Sequence, residues 1–135
     1  MTNPKLARDY LSRGRKRLKA VAVLLAEEAF ADVVRESQEI VELVLKAALR
    51  SFGIAVPFSH DLSESFAENA HRLPREAQQL IPRWSEISKH LRKDRELAFY
   101  GSEDVTPSTF YTRSDAEQAK SMAEEIITTA SRWIV

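Results

Sequence analysis

From Pro4 onward, Leu6, Tyr10, Gly14, Leu18, Val21 and Leu25 recur at spacings of three and four, which marks the buried stripe of a helix. Asn3 offers a side-chain cap and Pro4 suits the first helical position, so the helix is predicted to begin there. The period lapses at Ala26-Glu27-Glu28-Ala29 and resumes with Val34, Ser37, Val41, Val44, Leu45, Ala48 and Phe52. Gly53 follows, where a helix end calls for a left-handed residue. Two long helices, over about residues 4–28 and 30–52, are expected to form an antiparallel hairpin.

Pro57 interrupts the apolar run from Ile54 to His60, which therefore reads as a connection rather than a strand. Asp61-Leu62-Ser63-Glu64 has capping-box spacing and predicts a short helix over about 62–72. Pro74 and Pro82 each suit a first turn. They predict a short helical piece between them and a long fourth helix from Pro82 to Gly101. The polar segment Ser102–Thr112, with Pro107 inside it, is the expected flexible loop. A second capping box, Ser114-Asp115-Ala116-Glu117, launches a last helix with Ala119, Met122, Ala123, Ile126, Ile127, Ala130 and Trp133 on one face. No strand pattern or repeat is present. The prediction is an all-α, up-and-down bundle of four to five helices in one domain over residues 1–135.

Composition narrows the class. A chain of 135 residues, 44% hydrophobic and 30% charged with only three glycines, can bury a sizeable core. Its formal net charge is zero, so any basic surface must be local and offset elsewhere. The lack of cysteine excludes disulfides and thiolate metal sites. The opening MTNPKLARDY lacks a charged-then-apolar leader layout, and no apolar run reaches membrane-spanning length. A cytoplasmic protein without membrane contact is expected.

Chemistry concentrates in residues 89–101, KHLRKDRELAFYG, where Lys89, His90, Arg92, Lys93 and Arg95 crowd one helix end. The helix dipole favours cations there, so a solvated helix end and an anion site both remain open. At roughly 100° per residue, Arg95 falls within the stripe of Trp84, Ile87, Leu91 and Ala98. A guanidinium so placed must snorkel out, meet a carboxylate or await an anion, because an unpaired buried charge costs several kcal/mol. The first helix carries a similar cluster in Arg13, Arg15, Lys16, Arg17 and Lys19. Facing one side, the two clusters would form a phosphate-binding strip. The sequence leaves their orientation open. His60, His71 and His90 lack the close pairing of metal ligands, and no glycine-rich phosphate loop or serine elbow occurs. No metal or cofactor is therefore expected. His60 reads as a helix-entry residue, and Glu42 with Lys46 as an i,i+4 ion pair.

Several segments together resemble the HEPN family of small helical domains. They are Ala7-Arg8-Asp9-Tyr10-Leu11, Glu42-Leu43-Val44-Leu45-Lys46-Ala47 and Pro57-Phe58-Ser59-His60-Asp61-Leu62. Arg95-Glu96-Leu97-Ala98-Phe99-Tyr100-Gly101 and Tyr111-Thr112-Arg113-Ser114-Asp115-Ala116-Glu117 complete the set. The resemblance covers nearly the whole chain and implies a bundle that is commonly dimeric, with fourth-helix residues near a shared cleft. Many members are metal-independent ribonucleases, often toxins encoded beside a small nucleotidyltransferase-like partner. Their signature is an arginine followed, after four to six intervening residues, by a histidine. Imidazole relays protons near neutral pH and guanidinium stabilises charge on the phosphate.

This chain departs from that signature. Counting from Arg92 the positions hold Leu97, Ala98 and Phe99; counting from Arg95 they hold Tyr100, Gly101 and Ser102. A tyrosine pKa of about 10, against about 6.5 for histidine, makes Tyr100 a poor base at pH 7. The expectation is a non-catalytic module that binds a nucleotide, an RNA phosphate or a nucleotidyltransferase-like partner, in a pair of toxin–antitoxin type, as a homodimer. Arg92 and Arg95 would hold the anion, Tyr100 would stack on it or be modified by the partner, and Lys89 and Lys93 would add local field. The alternative is a ribonuclease whose base is Tyr100 or a histidine of the other subunit. A third reading is an interaction protein with no anion site.

Overall fold

The computed structural model describes residues 3–57, 61–93 and 95–135; the side chains of Arg95, Glu96 and Leu97 lie outside that description. So does the predicted helix-entry role of His60. Seven helices are described: α1 (Pro4–Ala26), α2 (Phe30–Ser51), α3 (Leu62–Glu68), α4 (Arg75–Lys93), α5 (Arg95–Tyr100), α6 (Pro107–Phe110) and α7 (Arg113–Ala130). No strand occurs among the described residues. The architecture is the all-α bundle expected, with α2 at its centre packing against α1, α7, α4, α5 and α3.

The first hairpin forms as its periodicity predicts, with one rotation. Asn3 accepts a hydrogen bond from the Leu6 N–H at 3.1 Å and Pro4 opens α1. The fully buried line of α1 is Ala7, Leu11, Gly14 and Val21, whereas Leu6 and Tyr10 sit half-buried at its edge. Close approach to α2 sets this rotation: a Cβ on Gly14 would stand 2.8 Å from Val44 Cγ2. Small residues inside let the two backbones meet, and Tyr10 is left to lie under the guanidinium groups of Arg13 and Arg50. Glu28 makes the turn in the left-handed region, at φ 59°. There the Glu28 and Ala29 N–H groups bond the carbonyls of Leu25 and Leu24 at 3.0 and 2.9 Å, a Schellman end without glycine. Gly53, at φ 75°, closes α2 in the same manner.

Three boundaries differ from expectation. The short helix after Asp61 stops at Glu68, where Asn69 donates its side-chain amide to the Ser65 carbonyl at 2.8 Å; a single 3-10 turn, Ala70–Arg72, follows. Pro82 does not begin a helix but lies inside α4. An interior proline costs about 3 kcal/mol, yet Pro82 is on the exposed face, where water can serve the carbonyl it leaves unbonded. The inward stripe of Ala77, Ile81, Trp84, Ile87 and Leu91 runs unbroken past it, and each large apolar side chain buried there contributes roughly 1.5–3 kcal/mol. The last helix starts two residues before the expected box: Thr112 Oγ1 accepts from the Asp115 N–H at 3.2 Å while Asp115 Oδ2 accepts from the Thr112 N–H at 2.9 Å. The polar segment before it carries structure of its own. Gly101 turns at φ 75°, Ser102 and Val105 exchange backbone bonds, and Thr106 caps α6.

Trp84 anchors the core between α4, α3 and α7. It is buried, meets Phe66 and Trp133 edge-on at 5.2 and 6.1 Å, and donates its indole N–H to Thr129 Oγ1 at 2.9 Å. Nearby, Arg83 forks onto Glu125 at 2.8 and 3.0 Å, tying α4 to α7.

Candidate functional site

The basic end of α4 is fixed by Leu91, which is 2% exposed and points into the core. At roughly 100° per residue, Arg92 and His90 then lie on opposite flanks of the helix, with Lys89 and Lys93 on its back. All four side chains are exposed. Each flank has different company. Arg92 Nη1 stands 4.0 Å from Asp61 Oδ1, an oxygen already taken by the Ser63 N–H at 3.0 Å and hydroxyl at 2.8 Å. Asp61 thus tethers Arg92 without neutralising it fully. Lys89 and Lys93 have no ion pair among the described residues.

His90 borders a cavity of about 220 Å³ that opens between α4, α6 and α7. Its walls include the buried side chains of Val34, Leu91, Tyr111 and Ala119. Around them stand His90, Phe110, Asp115 and Gln118, all exposed. Sequence reasoning passed over this group. No local pattern joins a histidine on α4 to residues of α6 and α7.

Tyr100 belongs to another edge. It is 78% exposed and stacks edge-on against Phe99 at 4.4 Å, while Phe99 lies beneath the Arg35 guanidinium at 4.1 Å. Glu36 pairs with Arg35 at 3.4 Å and with Arg17 at 3.6 Å, so this edge runs from α5 across α2 to α1. No described contact joins Tyr100 to Arg92. The α5 backbone begins at Arg95, whose side chain lies outside the described residues, so its place beside the other candidates is not part of the geometry.

The first-helix cluster divides as well. Arg13 and Arg17 border a groove of about 200 Å³ with Glu39, Glu42 and Lys46 of α2, so carboxylates interleave these cations. Glu42 forms the expected pair with Lys46 at 3.5 Å and also accepts from the buried Gln38 amide at 3.0 Å. Among the described residues no group of three or more acidic or histidine side chains is placed to hold a metal ion. Nor is any helix long and apolar enough to cross a membrane.

The described residues thus form an all-α bundle with a cluster of exposed basic side chains on its fourth helix and a cavity of mixed polar and apolar lining beside it. The family model described as HEPN domain matches residues 7–133, and the chain belongs to that family. Membership indicates a function related to nucleotides or RNA. Comparison with curated proteins and with solved structures finds no match.

Proposed function

We propose that this chain is a non-catalytic HEPN module that binds single-stranded RNA or nucleotides through the C-terminal end of α4. One observation carries the reading: the α4 histidine and the α4 arginine are turned apart. General acid–base cleavage requires the proton-relaying group and the phosphate-holding cation to reach one phosphate together. His90 borders the α6–α7 cavity, whereas Arg92 faces Asp61 across the helix. The motif positions after Arg92 include Ala98, which is buried, and Phe99, which is exposed and lies under Arg35. Neither side chain can move a proton. What remains is cationic surface suited to phosphate: Lys89 and Lys93 as mobile point charges, and Arg92 with Arg95 as forked donors in the proposed set. Tyr100, freely exposed, supplies a ring and a hydroxyl at the neighbouring edge.

The test is direct. Mixed-sequence RNA incubated with the purified protein without metal is expected to remain intact, while RNA or nucleotides raise its melting temperature because they bind only the folded state. Metal-free cleavage that disappears in Arg95→Ala and Tyr100→Phe would instead establish a ribonuclease with an unusual base. Neither cleavage nor any thermal shift would leave an interaction protein without an anion site.

A further inference from the structure

The cavity beside His90 has the build of a ligand site, and the reading above does not use it. Its 220 Å³ is smaller than the roughly 300–1,000 Å³ of pockets that enclose drug-sized molecules, so it suits one ring system rather than a whole nucleotide. Val34, Leu91, Ala119 and the Tyr111 ring make the buried part of its wall, against which one face of a flat ring can pack. Phe110, 48% exposed and edge-on to Tyr111 at 5.0 Å, offers a ring for stacking at the mouth. Polar groups of both kinds stand around it. Asp115 uses Oδ2 to cap α7, bonded by the Thr112 N–H and hydroxyl at 2.9 and 3.0 Å, and Oδ1 has no hydrogen bond among the described residues. The Gln118 amide, which can both donate and accept, also has none. A planar edge with donors and acceptors side by side would satisfy them, and nucleobases have such edges.

The surroundings say what else the ligand carries. His90 and Lys93 are three apart on α4, hence neighbours on its surface, and so are Lys89 and Arg92. From His90 at the edge of the cavity a line of cations, Lys93, Lys89 and Arg92, therefore runs round the outside of the helix. We propose that the cavity takes one unpaired base of a single-stranded RNA, whose sugar-phosphate backbone continues over Lys93 and Lys89 toward Arg92. The inference rests on the RNA-binding reading and adds a base-recognition subsite to it. Single strands are gripped in this way generally, by a charged track for the backbone and an aromatic ring for a base.

The experiment compares a fluorescent mixed-sequence RNA with an abasic ribose-phosphate oligomer of equal length and charge, by anisotropy, on wild type, Phe110→Ala, Gln118→Ala and Lys89→Ala/Lys93→Ala. Circular dichroism verifies that each variant is folded. The RNA is expected to bind wild type at least about tenfold more tightly than the abasic oligomer, the worth of one stacked base. Phe110→Ala and Gln118→Ala should erase most of that difference and leave abasic binding unchanged. The lysine double variant should weaken both ligands alike. Equal binding of RNA and abasic oligomer by wild type, or a preference untouched by the two cavity variants, overturns the subsite while the RNA-binding reading stands. Binding of neither ligand overturns both.

Discussion

Glu28 occupies a backbone conformation that costs an L-residue about 1–2 kcal/mol relative to glycine. Its side chain returns little: the Arg113 guanidinium is 3.7 Å away, and both side chains are more than half exposed, so the pair is screened. Glu28→Gly is therefore expected to stabilise the protein by about 0.5–1 kcal/mol, after allowing for the added freedom of glycine in the unfolded chain. Urea denaturation checks this through a higher midpoint with an unchanged slope. An equal or lower midpoint would mean that the ion pair matters more than the strain. The fading of the hydrophobic period located this turn, but its left-handed conformation was not legible because the residue type usual there, glycine, is missing. At Gly53 and Gly101 residue type and conformation agree, and both ends are where the sequence placed them.

Elements were legible where burial, rather than a single breaker residue, decides them. Val34, Val41, Val44, Leu45 and Ala48 are all buried on α2, as their spacing required. Pro82 misled because the cost of an interior proline, a lost hydrogen bond and a ring crowding the carbonyl four residues back, is outweighed here by the buried stripe on the opposite face. Ser114 and Thr112 both precede suitable cap partners; Thr112 wins by the reciprocal bonds with Asp115. Between elements, the Arg83–Glu125 fork is the tie with a pH signature. Its hydrogen bonds hold the Glu125 carboxyl below its ordinary value, partial burial pulls the other way, and the guanidinium charge lowers it further. A carboxyl depressed in the folded state adds stability above its unfolded pKa of about 4.3, and that stability is lost as pH falls through the lower folded value. Glu125→Gln should thus cost no more than about 1 kcal/mol at pH 7, given the exposure of both side chains, and the gap should begin to narrow below the unfolded value of about 4.3 and close only once the pH is below the lower folded value. Urea titrations of both proteins at pH 7 and below that folded value decide it; a constant gap would assign the loss to packing rather than charge.

For the whole molecule, charge distribution matters more than total charge. Twenty basic and twenty acidic residues leave no net field to draw in a polyanion, so attraction must come from the cations that the fold leaves unmatched. The sequence displayed the α4 cluster but not which of its members are free, because freedom depends on partners far along the chain. Asp61 reaches Arg92 from α3, and α2 brings carboxylates to Arg13 and Arg17. Lys89 and Lys93 face away from all of these. Single-stranded RNA releases counterions as its phosphates are neutralised, with a slope in log K against log salt of roughly −0.7 per phosphate contact. If Lys89, Lys93 and Arg92 make the main contacts, the slope for this protein should be about −2, and Lys89→Ala/Lys93→Ala should reduce it by more than half. In contrast, Arg13→Ala/Arg17→Ala should leave it nearly unchanged, since those guanidinium groups border carboxylates in the folded protein. Binding measured across a salt series distinguishes the two faces. A slope that flattens in the α1 variant and persists in the α4 variant would move the RNA track to the α1–α2 groove.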